Sequence, residues 1–202
     1  MVSMRTAHGT VGGEIWVRER PPDEDGLLLR RVASGDERAL EEIYARFGRS
    51  LFGYLLKLAP DRRLAEEVLQ DTLVAVWRGA GSYAGRSSAK TWIFGVCRRQ
   101  AHNTLRRRDL MPGTEEDFDV LPTPDPGPEE ALLSGVRQEE LMIRLDDLSP
   151  LHREVLILFF YQNLSYEETA TVLGVPVGTV KSRLSNAKRS LRTAVSGREE
   201  AR

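Results

Sequence analysis

The residues best suited to chemistry at a macromolecular surface lie near the C-terminal end of the chain. At about 100° per residue, Gly178, Ser182, Ser185, Asn186 and Arg189 share one side of a helical pattern, flanked by Thr179, Lys181 and Arg192. Small polar residues let a helix sit deep in a DNA major groove. Lysine and arginine reach phosphates or guanine edges, and asparagine can pair with adenine. A solvated amphipathic helix has a similar pattern but normally mixes its charges, and from Thr169 to Arg198 there is no acidic residue. The opposite stripe, Val177, Val180, Leu184, Ala187 and Leu191, must pack on something. The element before it supplies that partner. Ser165 and Glu168 have capping-box spacing, Ala170 and Leu173 continue an apolar face, Gly174 suits a left-handed helix end, and Pro176 sits at the next helix start. The stretch SYEETATVLGVPVGTVKSRL, residues 165–184, therefore predicts a helix-turn-helix.

A second cationic set lies upstream. Residues 84–108 hold Arg86, Lys90, Arg98, Arg99, Arg106, Arg107 and Arg108 with no acid, whereas residues 109–130 hold eight acids and no base. The net charge of −1 averages over these blocks and does not argue against a nucleic-acid partner. The acidic stretch PGTEEDFDVLPTPDPGPEE has little to bury and reads as a flexible linker over residues 109–129. It separates an N-terminal domain, residues 26–108, from a C-terminal one, residues 130–197, while residues 1–25 read as a disordered tail.

The elements of the first domain follow from periodicity. Leu27–Ala33, then Ala39, Leu40, Ile43, Tyr44 and Phe47 with Leu51, Phe52, Leu55 and Leu56, recur at spacings of three and four. Leu64, Val68, Leu69, Leu73, Val76 and Trp77 mark a third amphipathic helix. A fourth begins near Lys90, with Trp92, Ile93, Val96, Gln100 and Thr104 on one side and Arg98, Arg99, His102 and Arg106 on another. No strand pattern competes, and the fold class is all-α: two small helical domains.

Other chemistries find no support. Gly79, Gly81 and Gly85 lack G-x-G-x-x-G spacing, and Lys90-Thr91 lacks the preceding glycine of a phosphate loop. His8, His102 and His152 are scattered, without metal-ligand spacing, and a single Cys97, expected to be buried, excludes an internal disulfide. No nucleophile–base pair is legible, so neither enzyme activity nor a cofactor or metal is expected. No apolar run is long enough to span a membrane, and the N-terminus lacks the apolar core of a signal peptide, which points to the cytoplasm.

Over residues 27–195 the chain resembles the extracytoplasmic-function class of bacterial sigma factors, built from sigma regions 2 and 4 joined by a linker. LEEIYARFGRSLFGYLLKL resembles the first helix of region 2, AEEVLQDTLVAVW its polymerase-binding helix, and KTWIFGVCRRQAHNTLRRR its promoter-contacting helix. The segment DDLSPLHREVLILFFYQNLSYEETATVLGVPVGTVKSRLSNAKRSLR resembles region 4 almost end to end.

The resemblance implies a protein that binds core RNA polymerase, directs it to −35/−10 promoters and aids melting. Glu66, Glu67, Gln70 and Asp71, with apolar Leu69 and Leu73, would meet the polymerase. Tyr83, Arg86, Lys90, Phe94, Arg98, Arg99, Asn103 and Arg106 would engage the −10 element, where strand capture calls for aromatic surfaces and backbone-tracking cations. In the helix-turn-helix, Lys181, Ser182, Ser185 and Asn186 would lie nearest the −35 bases, and Thr179, Arg183 and Lys188 would face phosphates. Family members often carry Asn at Arg99 and Asp at Asn103, and Arg or an aromatic at Ser185 and Asn186, so the resemblance does not fix which promoter bases are read. An anti-sigma factor is the further partner the resemblance implies. Two other readings stay open: a stand-alone helix-turn-helix regulator that binds DNA without polymerase, and a sigma-like interaction module without initiation activity.

Overall fold

The computed structural model describes residues 24–108 and 148–199. Most of the expected tail, the expected linker and the beginning of the expected C-terminal domain lie outside these residues. The first domain is four helices, α1 Glu24–Ala33, α2 Glu37–Leu58, α3 Arg62–Gly79 and α4 Ala89–Arg107, with a single 3₁₀ turn, Ala80–Ser82, after α3. The second has α5 Pro150–Leu156 running into a π-type turn, Ile157–Tyr161, then α6 Tyr166–Leu173 and α7 Val177–Glu199. Among the described residues there is no strand.

Short polar side chains set where the helices begin. Asp36 accepts from the Ala39 amide, Asp61 from Leu64 at 2.8 Å, Ser88 from Thr91 and Ser149 from His152, each satisfying one of the amides a helix N-terminus leaves unpaired. The α6 start carries the full capping box. The Glu168 amide donates to Ser165 Oγ and the Ser165 amide donates to Glu168 Oε2, both at 3.1 Å. α6 ends at Gly174, whose φ of +70° is a left-handed geometry that a side chain disfavours. The turn to α7 is thereby short, and the helix-turn-helix predicted from the sequence is present.

Packing follows the predicted stripes. In the first domain Leu29, Ile43, Leu51, Leu64, Val68, Val76, Ile93 and Cys97 are buried. In the second, Val155, Leu158, Leu173, Val180, Leu184 and Ala187 are buried, so the apolar side of α7 faces inward and its polar side outward. The α2 pattern is one unbroken helix of 22 residues, and it leaves Tyr44 and Leu56 exposed on the outer side.

The two domains also touch. α4 of the first lies against α6 of the second, and Tyr161 rests on α2 where Gly53 leaves room, a Cβ there being 3.1 Å from the ring. Several polar groups are paired across this contact.

Candidate DNA and polymerase interfaces

On α7 the apolar stripe from Val180 to Leu191 is buried and the polar residues opposite it are accessible. Lys181, Ser182, Ser185 and Asn186 are all partly exposed on the side away from Val180, Leu184 and Ala187. Local contacts hold Lys181, Ser182 and Asn186 in place. The Lys181 ammonium sits 5.0 Å from the centre of the Tyr166 ring, Ser182 donates to the Thr179 carbonyl at 3.0 Å, and Arg189 donates to Asn186 Oδ1 at 2.8 Å. Thr179 and Arg183 flank them and are half-buried. Burial lowers the pKa of Arg183, and the nearby carboxylate of Glu154 opposes that shift.

Lys188 is a correction. It is 8% exposed, and its ammonium lies 5.7 Å from the centre of the Phe160 ring, so its stem packs inside the domain and it is not placed to meet a phosphate.

The −10 set divides. Arg86, in the loop ahead of α4, is exposed, as are Arg99, Asn103 and Arg106, which recur at i, i+4 and i+7 on one side of α4, with Asn103 Oδ1 accepting from Arg106 at 3.1 Å. Phe94 is a second correction: it is fully buried, edge-on to Tyr54 with ring centres 5.8 Å apart, and no base can stack on it. The helical spacing of Phe94 with Ile93 and Cys97 carried that information, and the aromatic character masked it. Tyr83 is half-buried against Trp92 and donates to the Ser87 carbonyl at 2.8 Å, which fixes the turn ahead of α4. Lys90 and Arg98 point to the second domain. Lys90 Nζ donates to the Gln162 carbonyl, and Arg98 Nε donates to Glu154 Oε1 at 3.0 Å.

Glu154 had no signal in the sequence. It is 2% exposed, and its carboxylate accepts from Tyr54 Oη at 2.7 Å and from Arg98, with His102 Nε2 at 3.1 Å. Burial alone would raise its pKa; the His102 hydrogen bond, the Arg98 charge and Tyr54 outweigh it and hold the carboxyl down at about 2. Nothing in a one-dimensional pattern couples residue 54 to residue 154.

On α3, Glu66, Glu67, Gln70 and Asp71 are exposed along one side, with Leu73 half-buried beside them. Arg62 pairs with Glu66 at 2.8 Å, and Arg108, from the end of α4, donates to both oxygens of Glu67 at 2.8 Å. Both pairs are solvent-exposed and readily exchanged for another cation. Leu69 is 8% exposed at the edge of a cleft of about 400 Å³ between α2 and α3, which Tyr44, Arg49, Phe52 and Arg62 also line.

Cys97 is fully buried, and burial pushes its thiol up to about 12, so it stays protonated and unreactive. Among the described residues no cluster of histidine, cysteine or carboxylate could hold a metal, and no helix is long and apolar enough to cross a membrane.

A four-helix domain with exposed acids on α3 and exposed cations on α4, followed by a helix-turn-helix, is the arrangement of a DNA-binding protein. Comparison with known proteins specifies the class. Residues 43–110 match the family Sigma-70 region 2, and residues 138–191 match Sigma-70, region 4. The ECF RNA polymerase sigma factor RpoE of Cereibacter sphaeroides is 32% identical over 173 residues, covering 84% of this chain and 93% of the relative. The RNA polymerase sigma factor YlaC of Bacillus subtilis is 31% identical over 167 residues, covering 81% and 96%. The sigma factor RpoE of Bartonella quintana, solved in complex with the anti-sigma factor NepR, superimposes with a TM-score of 0.57 at 27% identity, covering 77% of this chain and 96% of that one. The chain belongs to the extracytoplasmic-function class of the sigma-70 family. It is a promoter-specificity subunit of RNA polymerase.

Proposed function

We propose that the three surfaces divide the work of initiation as follows. The exposed side of α3, with Glu66, Glu67, Gln70, Asp71 and Leu73, docks on a basic surface of core polymerase, and Leu69 adds apolar contact at the cleft edge. The exposed set of Arg86, Arg99, Asn103 and Arg106, joined by Lys90 and Arg98 when the second domain moves away, follows the backbone of the opened −10 strand. The outer face of α7 reads the −35 duplex through Lys181, Ser182, Ser185 and Asn186, with Thr179 and Arg183 toward phosphates. The protein works in the cytoplasm and contributes binding and positioning rather than catalysis. An anti-sigma factor is a further partner of the chain, a reading supported by the Bartonella quintana neighbour, which was solved in complex with the anti-sigma factor NepR.

The observation that carries this reading is the paired placement of the polar and apolar sides of α7. Every predicted stripe residue from Val180 to Leu191 is buried, while the four residues assigned to bases are accessible. A double substitution, Lys181→Ala with Asn186→Ala, is expected to abolish discrimination between −35 sequences in a footprinting assay while leaving core-polymerase binding intact. Asp71→Arg should do the reverse. Equal loss of both functions in either variant would contradict the division.

A further inference from the structure

Asn186 has the side chain on the outer face of α7 that is chemically suited to adenine, and one end of its amide is already taken. Arg189 lies three residues on, within reach on the same side of the helix, and its Nη2 donates to Asn186 Oδ1 at 2.8 Å. Packing sets the pair up. Ala187 and Lys188, between them in sequence, are buried, while Arg189 is exposed and Asn186 half-buried. From Thr169 to Arg198 there is no acidic residue, so no carboxylate close in sequence draws the guanidinium away. A guanidinium carries donors and no acceptor, so the end of the amide turned toward it is the oxygen.

Asparagine discriminates adenine by setting both ends of its amide against one base edge. The oxygen accepts from N6 while the nitrogen donates to N7. In Asn186 the oxygen already serves a cation. A bond accepted from a cation polarises the amide, which strengthens its N–H groups as donors and weakens the oxygen toward a second partner. The groove therefore meets two donors. Guanine answers them with two acceptors side by side, N7 and O6, and no donor between them. We propose that Arg189 sets specificity in the −35 contact as a positioning residue, pinning Asn186 so that it reads guanine and rejects adenine. This rests on the reading of α7 as the −35 helix and adds to it a residue that acts through another rather than on the base. Asn186 and Arg189 are then one recognition unit. The same asparagine beside a residue that cannot donate reads the other purine.

The test uses RNA polymerase holoenzyme reconstituted with the full chain and a promoter fragment from which it initiates, the −35 element randomised. Bound fragments are selected and sequenced. Asn186→Ala marks the base pair that Asn186 reads, as the one whose preference it flattens. At that pair the parent should favour guanine over adenine by about tenfold, the discrimination of one good side-chain–base contact. Arg189 is exposed, so Arg189→Ala leaves the core of the domain intact. It should lower the guanine-to-adenine ratio by roughly fivefold or more, with preferences at the other positions kept. A parent that favours adenine at that pair, or an unchanged ratio in Arg189→Ala, would overturn the proposal. So would a uniform loss of affinity with every ratio kept, which is the effect of a phosphate contact. If Asn186→Ala flattens no position, the base-reading role of Asn186 fails and the proposal with it. That failure is seen in the asparagine variant, whereas failure of the pin alone is seen only in the arginine variant.

Discussion

Arg98 and Glu154 stand 56 positions apart in the chain, and their side chains meet at 3.0 Å, the guanidinium 22% exposed and the carboxylate 3%. One is a cation of α4 in the first domain and the other a buried acid of α5 in the second. This pair joins the two helical domains. Removing one member of a buried ion pair leaves the other desolvated and unpaired, so the cost falls on the contact between domains rather than on either core.

The coupling has a pH dependence with a definite sign. Glu154 is held down from 4.5 to about 2 where the two domains touch. A depressed carboxyl stabilises that contact fully above its ordinary value, and the contribution is lost as pH falls from 4.5 toward 2. The charged or titratable groups facing it are Arg98, His102, Tyr54 and Cys97 from the first domain and Arg183 from its own. Scattering from the full chain should show the domains separating on acidification within this window, and Glu154→Gln should remove most of that response.

Ser165 caps α6, so Ser165→Ala should lower stability of the second domain by about 1 kcal/mol, and Ser165→Asp should be close to neutral. Urea unfolding followed by helical circular dichroism reads both. A larger effect is expected for Glu168→Ala, because the same carboxylate also accepts from Ser88 and Thr91.

Thr169 is fully buried on α6, and its Oγ1 has no hydrogen-bond partner. A buried hydroxyl left unpaired is unfavourable, and valine has nearly the same shape. Thr169→Val should therefore raise the unfolding free energy by about 1 kcal/mol with −35 binding unchanged. A loss of stability would show that the hydroxyl has a partner in solution.

Local signals in the sequence reached the helices and the division of α7 into a buried apolar side and an accessible polar side. The capping box at Ser165 and Glu168, the left-handed Gly174 and the Val180–Leu184–Ala187–Leu191 stripe are short-range features, and each appears as expected. Errors arose where one residue type serves two ends. Phe94 has the chemistry of a stacking platform and the spacing of a core residue, and packing decides for the core. Lys188 has a phosphate-seeking charge, but its stem and ammonium settle over Phe160. The network around Glu154 was illegible because its members come from α2, α4 and α5, and no periodicity relates them.

The central claim, that this chain gives promoter specificity to RNA polymerase, is tested most directly by transcription in vitro. Core polymerase is supplied with promoter fragments from the source genome, with and without the chain. Initiation at defined −35/−10 sites only when the chain is present is the predicted result, lost in Asp71→Arg and in the Lys181→Ala, Asn186→Ala double variant. No chain-dependent initiation on any fragment, or tight site-specific DNA binding that needs no polymerase, would contradict it.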